Sequence, residues 1–244
     1  MENKYALLID ADNISPKYLK IMLDEAKSFG IISIRRIYGD WTDEAKKSWK
    51  DELLDNSIMP IQQYSYTTGK NSSDSAMIID AMDILYSNNV DGFIIVSSDS
   101  DFTRLVMRLR EAGKKVIGMG EAKTPSSFVK SCEEFKTLDV LYKNVLQNEE
   151  NTRKDSTRRE DDDIAPITDL HEIKKTIDDI MEKHTDDSGK MLLSELGRLL
   201  IKNHPDFDFR NYGRYKKFNE FIKEFSDLRV ELDKSKPPLA YVIK

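Results

Sequence analysis

Five short runs rich in β-branched and aromatic residues, set apart by stretches of helical character, constrain this chain more than any other feature. They are YALLID (5–10), ISIRRIY (32–38), IMPIQQY (58–64), GFIIVSS (92–98) and KVIGMG (115–120). The intervening stretches 16–29, 43–56, 73–88 and 102–112 read as helices. Ser15 is an N-cap candidate with Pro16 at the first helical position, and Gly113 is a helix-stop residue. Near-continuous apolar strands alternating with helices predict an α/β fold, a mostly parallel sheet with helices on both faces. This pattern occupies 1–146.

The rhythm then breaks. Residues 147–166 lack hydrophobic periodicity and are almost wholly polar, with seven acids against four bases, which predicts a solvated linker and argues against a nucleic-acid tail. In 167–244, helical spacing over 170–182, 191–201 and 211–225 is followed by VELD (230–233), a turn with Pro237 and Pro238, and LAYVI (239–243). Three helices and a two-stranded hairpin outline a winged helix. The net charge of −6 excludes a bulk basic coat but permits a local basic patch. A single cysteine, Cys132, excludes an intramolecular disulfide framework and suits a reducing cytoplasm, and three scattered histidines make no zinc pattern. The apolar run at Tyr5–Ile9 is too short for a secretion signal or a membrane span. A soluble, cytoplasmic protein is expected.

Open parallel sheets bind ligands beyond the carboxyl ends of their strands. LLIDADN puts Asp10, Asp12 and Asn13 at that rim, and VSSDSDF puts Ser97, Ser98, Asp99 and Asp101 there. The loop TTGKNSSD delivers Asp74 at the start of a helix that also carries Asp80, deeper along it, and Asp83. Carboxylates with serine hydroxyls or water form a hard oxygen set suited to Mg²⁺ or Mn²⁺, ions that activate water and stabilise phosphoryl transition states. The bland alternative is that each Asp caps a helix or forms a turn. Asp12 and Asp83 read as solvated, and Asn13 either bonds substrate, orients Asp10 or caps the next helix.

LLIDADN, the KNSSD loop leading into AMIIDA, and VSSDSDF, in that order, resemble the NYN family, a branch of the PIN-like nucleases, over about 4–145. The resemblance implies a Rossmann-like (PIN-like) fold and metal-dependent ribonuclease activity. By position it implies metal-binding, catalytic roles for Asp10, Asp74 and Asp99, with Asp101 an additional acid, Asn13 the polar partner of the first Asp, and Ser97 and Ser98 holding phosphate or orienting the carboxylates. Ser73, before Asp74, stands where the family more often has an apolar residue. Some family members have no demonstrated cleavage, so a non-catalytic RNA-binding adaptor is the alternative. Asp-x-Asp at a strand end also suits a haloacid-dehalogenase-like phosphatase with Asp10 as nucleophile, although Asn13 and Ile14 stand where that family usually has Thr or Val.

Among cations, Lys70 in the Asp74 loop is best placed for a substrate phosphate. Arg35 and Arg36 lie on the second strand, and Arg104 and Arg108 share a helical face. Trp41 and Tyr38 either stack a base or pack internally. In the C-terminal unit, Tyr215, Phe218 and Ile222 face inward on the expected third helix, leaving Arg214 and Lys217 together outside, with Arg210 close by. GKMLLSELGRLL (189–200), HPDFDFRNYGRYKKFNEFI (204–222) and PPLAYVI (237–243) resemble the LOTUS, or OST-HTH, domain, which implies a module that binds RNA, single-stranded or structured, or docks a protein partner. Fifteen basic and fifteen acidic residues in 167–244 predict one modest patch. The expectation is a metal-dependent endoribonuclease domain joined to an RNA- or partner-binding winged helix, with no membrane association.

Overall fold

The computed structural model describes residues 2–64, 72–151, 168–186, 189–213, 215–233, 235 and 237–244, and for 72–73 and 147–151 the backbone alone. The chain divides into two units, Met1–Tyr142 and Lys143–Lys244.

In the first unit, β1 (Lys4–Asp10), β2 (Ile31–Gly39), β3 (Met59–Gln62), β4 (Gly92–Val96), β5 (Lys115–Gly120) and β6 (Glu134–Thr137) form one sheet in the order β3-β2-β1-β4-β5-β6. Every pairing is parallel, as the strand–helix alternation predicts. β1 is central, and all of it except Lys4 is buried. Its side chains alternate between faces. Tyr5, Leu7 and Ile9 join Ile37, Ile94 and Ile117 under α1 (Leu19–Phe29) and α2 (Lys47–Asp55). Alternation turns Asp10 to the opposite face, where α3 (Ser72–Ser87) packs on β1 and β2. Two more helices, α4 (Thr103–Glu111) and α5 (Ser126–Ser131), and then α6 (Leu138–Asn151) follow.

The parallel register sets the rim. Ile9 pairs with Val96 and Asp10 with Tyr38, so β1, β2 and β4 end side by side. Three details differ from the sequence reading. The first helix opens with a 3₁₀ turn, Pro16–Tyr18, and the Ser15 side chain makes no cap hydrogen bond. The sixth strand, EFKT, goes unread because it is only one turn of alternation long. The last helix runs to Asn151, inside the segment expected to be a linker, and 152–167 lie outside the described residues.

In the second unit, α7 (Leu170–His184), β7 (Lys190–Leu192), α8 (Leu193–Asn203), α9 (Phe218–Ile222), β8 (Arg229–Leu232) and β9 (Ala240–Ile243) make a small helical domain with an antiparallel sheet of order β7-β9-β8. KML adds a third strand to the expected hairpin by pairing Lys190 with Ile243. The third helix is far shorter than 211–225. Asp208 caps a 3₁₀ turn at Phe209–Tyr212, the Tyr212 hydroxyl donates to the Thr168 carbonyl at 2.8 Å, and the chain restarts as a helix only at Phe218. Aromatic packing wins over helical continuity here. The Phe221 ring lies 5.3–6.2 Å, centroid to centroid, from those of Phe207, Tyr212, Tyr215, Phe218 and Phe225.

Phe221→Ala therefore removes the centre of this unit and should cost about 3–5 kcal/mol. Calorimetry should show a lowered transition for the C-terminal unit with that of the N-terminal unit unmoved.

Candidate metal centre

Asp10 occupies the end of β1 and is 1% exposed. One carboxylate oxygen accepts from the backbone N–H groups of Asp12 (3.0 Å) and Asn13 (3.3 Å). The other accepts from the Asn13 side-chain amide at 2.7 Å and the Ser97 hydroxyl at 2.8 Å. Burial raises its pKa above the ordinary carboxylate value, and the Asn13 and Ser97 hydrogen bonds offset only part of that rise. Asn13 thus meets Asp10 through both its backbone and its side chain.

Ser97 is fully buried just past the end of β4. Its hydroxyl donates to Asp10 and accepts from the Asp99 N–H at 3.0 Å. The Ser98 hydroxyl accepts from the Glu121 N–H at 2.9 Å, tying the ends of β4 and β5. Asp99 caps the 3₁₀ turn Ser100–Phe102 by accepting from the Asp101 N–H at 2.9 Å. That turn presents Asp101 at the surface. The capping reading of Asp99 is thus correct.

Across from this turn stands Asp74, in the first turn of α3 and 6% exposed. One carboxylate oxygen from each of Asp74, Asp99 and Asp101 lies within 4.8 Å of the others. Octahedral Mg²⁺, at about 2.1 Å from each ligand, spans about 4.2 Å between opposite oxygens, so small side-chain movements or one bridging water would close the set. Asp10 is not one of the three, but its charge also acts on Asp74, Ser97 links it to the Asp99 N–H, and its own oxygens accept hydrogen bonds within the protein. At an effective dielectric of about 20, Asp74 and Asp99, both charged within 4.8 Å, repel by at least about 3 kcal/mol. The consequence appears at Asp74. Its pKa is raised to about 6, first by burial and then by the charges of Asp10, Asp99, Asp101 and Asp12. A hard divalent cation is the chemical species that relieves such a group.

The remaining candidates divide. Lys70 and Arg214 lie outside the described residues. Asp80 accepts hydrogen bonds from Arg36 and from the Tyr38 hydroxyl, so Tyr38, fully buried, is no stacking platform. The Trp41 indole donates to the Ile61 carbonyl at 3.0 Å. Arg104 and Arg108 are exposed on α4. Arg210 forms a two-point contact with Asp208, at 2.9 and 2.6 Å, and Lys217 is exposed at the N-cap of α9. One cation escaped the sequence reading. The Lys46 side chain is 11% exposed, and its ammonium contacts Asp12 at 2.5 Å. Gly39 makes room for its stem, since a Cβ there would come within 3.0 Å of Lys46 Cε. Within DEAKK it reads as one more surface charge.

The family model of the NYN domain matches residues 4–139, and that of the OST-HTH/LOTUS domain matches 168–239. An uncharacterized protein of Methanocaldococcus jannaschii, MJ0482, is 31% identical over 123 residues, 49% of this chain. The match spans 48% of that protein, about half its length. A crystal structure of a protein of unknown function from Vibrio parahaemolyticus, VPA0982, superposes with a TM-score of 0.46 at 20% identity, covering 55% of this chain and 91% of that one. Among the described residues, no helix is long and apolar enough to cross a membrane.

The raised pKa of Asp74 has a signed consequence. Its folded value, about 6, exceeds the ordinary 3.8, so its contribution to stability is present below the ordinary value and is lost as the pH rises through about 6. Metal-free protein should lose thermal stability over that window, and Asp74→Asn should flatten the dependence. At pH 7.5 the substitution should raise the metal-free midpoint by roughly 2–4 °C, the shift that about 1 kcal/mol produces in a chain of this size. Thermal melts from pH 4.5 to 7.5 in chelator check this.

Proposed function

This chain belongs to the NYN domain family and carries an OST-HTH/LOTUS domain, and from that premise we propose that it is a metal-dependent endoribonuclease hydrolysing RNA phosphodiester bonds. One observation carries the reading: carboxylates from two separate segments, Asp74 on one and Asp99 with Asp101 on the other, meet within 4.8 Å at the carboxyl rim of a parallel sheet.

Asp74, Asp99 and Asp101 would hold the ion, Mg²⁺ or Mn²⁺. When bound, such an ion activates water and neutralises charge on the phosphate. Ser97 keeps the Asp99 turn in place through its backbone, and Asn13 holds Asp10. Asp10 supports the centre by its charge and as the anchor of Ser97. A direct ligand role for it requires it to give up a hydrogen bond from Asn13 or Ser97. Nucleophilic attack by Asp10, as in a haloacid-dehalogenase-like phosphatase, is disfavoured by the same burial and saturation.

The saturated Asp10 is also the feature that favours the second reading, an RNA-binding adaptor whose acids hold an ion without cutting. The C-terminal domain would bring RNA to the first, raising its local concentration, with Lys216 and Lys217 exposed beside α9 as phosphate contacts. A domain plan of 1–146, a connecting segment over 147–166 that begins with the end of α6, and a winged-helix domain over 167–244 suits that role, as does a cytoplasmic location in which the buried Cys132 stays reduced.

Purified protein with single-stranded RNA and Mn²⁺ should cleave, and Asp99→Asn should lower kcat by at least about 100-fold. Equal trace cleavage by both would favour the adaptor. Deleting 168–244 should weaken RNA binding while leaving cleavage at saturating RNA within a fewfold of the native rate.

A further inference from the structure

Asp80 lies on α3 outside the metal group, and both of its oxygens are occupied. Arg36 Nη1 donates to one and the Tyr38 hydroxyl to the other. Both donors lie on β2, on either side of Ile37, whose own side chain belongs to the core of the opposite face. The contact is largely withdrawn from solvent, with Arg36 29% and Asp80 20% exposed. Asp80 lies six residues beyond Asp74 on the same helix, a rise of about 9 Å.

The rest of the α3 interface is apolar: Met77, Ala81, Ile84 and Leu85 are buried. Such contacts favour packing as such and discriminate weakly between neighbouring positions of a helix on a sheet. The ionic contact discriminates strongly, because a planar guanidinium and a phenol fixed on a strand accept a carboxylate at one place only. At its other end α3 carries a carboxylate toward Asp99 and Asp101, whose charges push that end away.

We propose that Asp80 is a positioning residue: clamped by Arg36 and Tyr38, it fixes α3 on β2 and so holds Asp74 against Asp99 and Asp101 for the metal. The inference rests on the metal-centre reading above and adds to it a determinant of metal affinity that is itself no ligand. The clamp sits on the strand whose neighbour, β1, ends in Asp10, so the same sheet register carries both sides of the centre.

The test measures Mn²⁺ binding to the full-length protein by the loss of the free-ion electron paramagnetic resonance signal, in native protein and in Asp80→Asn, Arg36→Met and Tyr38→Phe. Outer-shell changes typically cost 10–100-fold in metal affinity. Asp80→Asn and Arg36→Met should weaken Mn²⁺ about 10-fold, and Tyr38→Phe, which removes one hydrogen bond, about threefold. The KM for RNA should stay within about twofold, and excess Mn²⁺ should restore kcat in all three, as it should not in Asp99→Asn. Tyr38→Phe deletes one hydroxyl and keeps the result readable if a charge variant fails to fold. Lowered thermal midpoints with unchanged Mn²⁺ affinity would overturn the proposal, leaving the clamp purely structural. Weakened binding in Asp80→Asn alone would overturn it too, since Asp80 would then be a ligand. No Mn²⁺ binding by native protein would overturn the metal-centre reading and this inference with it.

Discussion

One buried hydroxyl joins the two halves of the acidic rim. Ser97 donates to the Asp10 carboxylate and accepts from the Asp99 backbone, so the end of β1 and the turn after β4 are held by a single side chain with no exposure. The register of the sheet makes this possible. Ile9 and Val96 are partners, so Asp10 and Ser97 follow them as neighbours. Asp99 then caps its own turn and places Asp101 beside itself. Only Asp74 must come from elsewhere, and it comes on a helix fastened to the same sheet.

The carboxylates here are handled in two different ways. Asp10 and Asp80 are satisfied internally, the first by two backbone N–H groups, an amide and a hydroxyl, the second by a guanidinium and a phenol. Hydrogen bonds of this kind hold each carboxylate in one position. Asp74, Asp99 and Asp101 bring one oxygen each together, and burial first and neighbouring charge second raise the pKa of Asp74. Perturbation of that kind, from burial plus like charge at a ligand-binding edge, marks a functional site more often than a packing accident.

Much of this was legible in the residues. The strand–helix alternation carries the sheet, and the rule that ligands sit beyond the carboxyl ends of parallel strands carries the meeting of Asp74 with Asp99 and Asp101. What escaped had no local signature. KML and EFKT are too short for alternation to register, so β7 and β6 emerge only from pairing with longer strands. Helical spacing over 211–225 was outweighed by the ring cluster around Phe221 and the cap at Asp208. Nothing local in the sequence marks which acid Arg36, Lys46 or Arg210 meets. Their separate partners, Asp80, Asp12 and Asp208, are chosen by the fold.

The central claim is that Asp74, Asp99 and Asp101 grip one divalent ion together. Anomalous diffraction from crystals soaked in Mn²⁺ tests it directly. A single peak bonded to oxygens of all three carboxylates is the predicted result; a peak elsewhere on the molecule, or none at full Mn²⁺ occupancy of the soak, would contradict it.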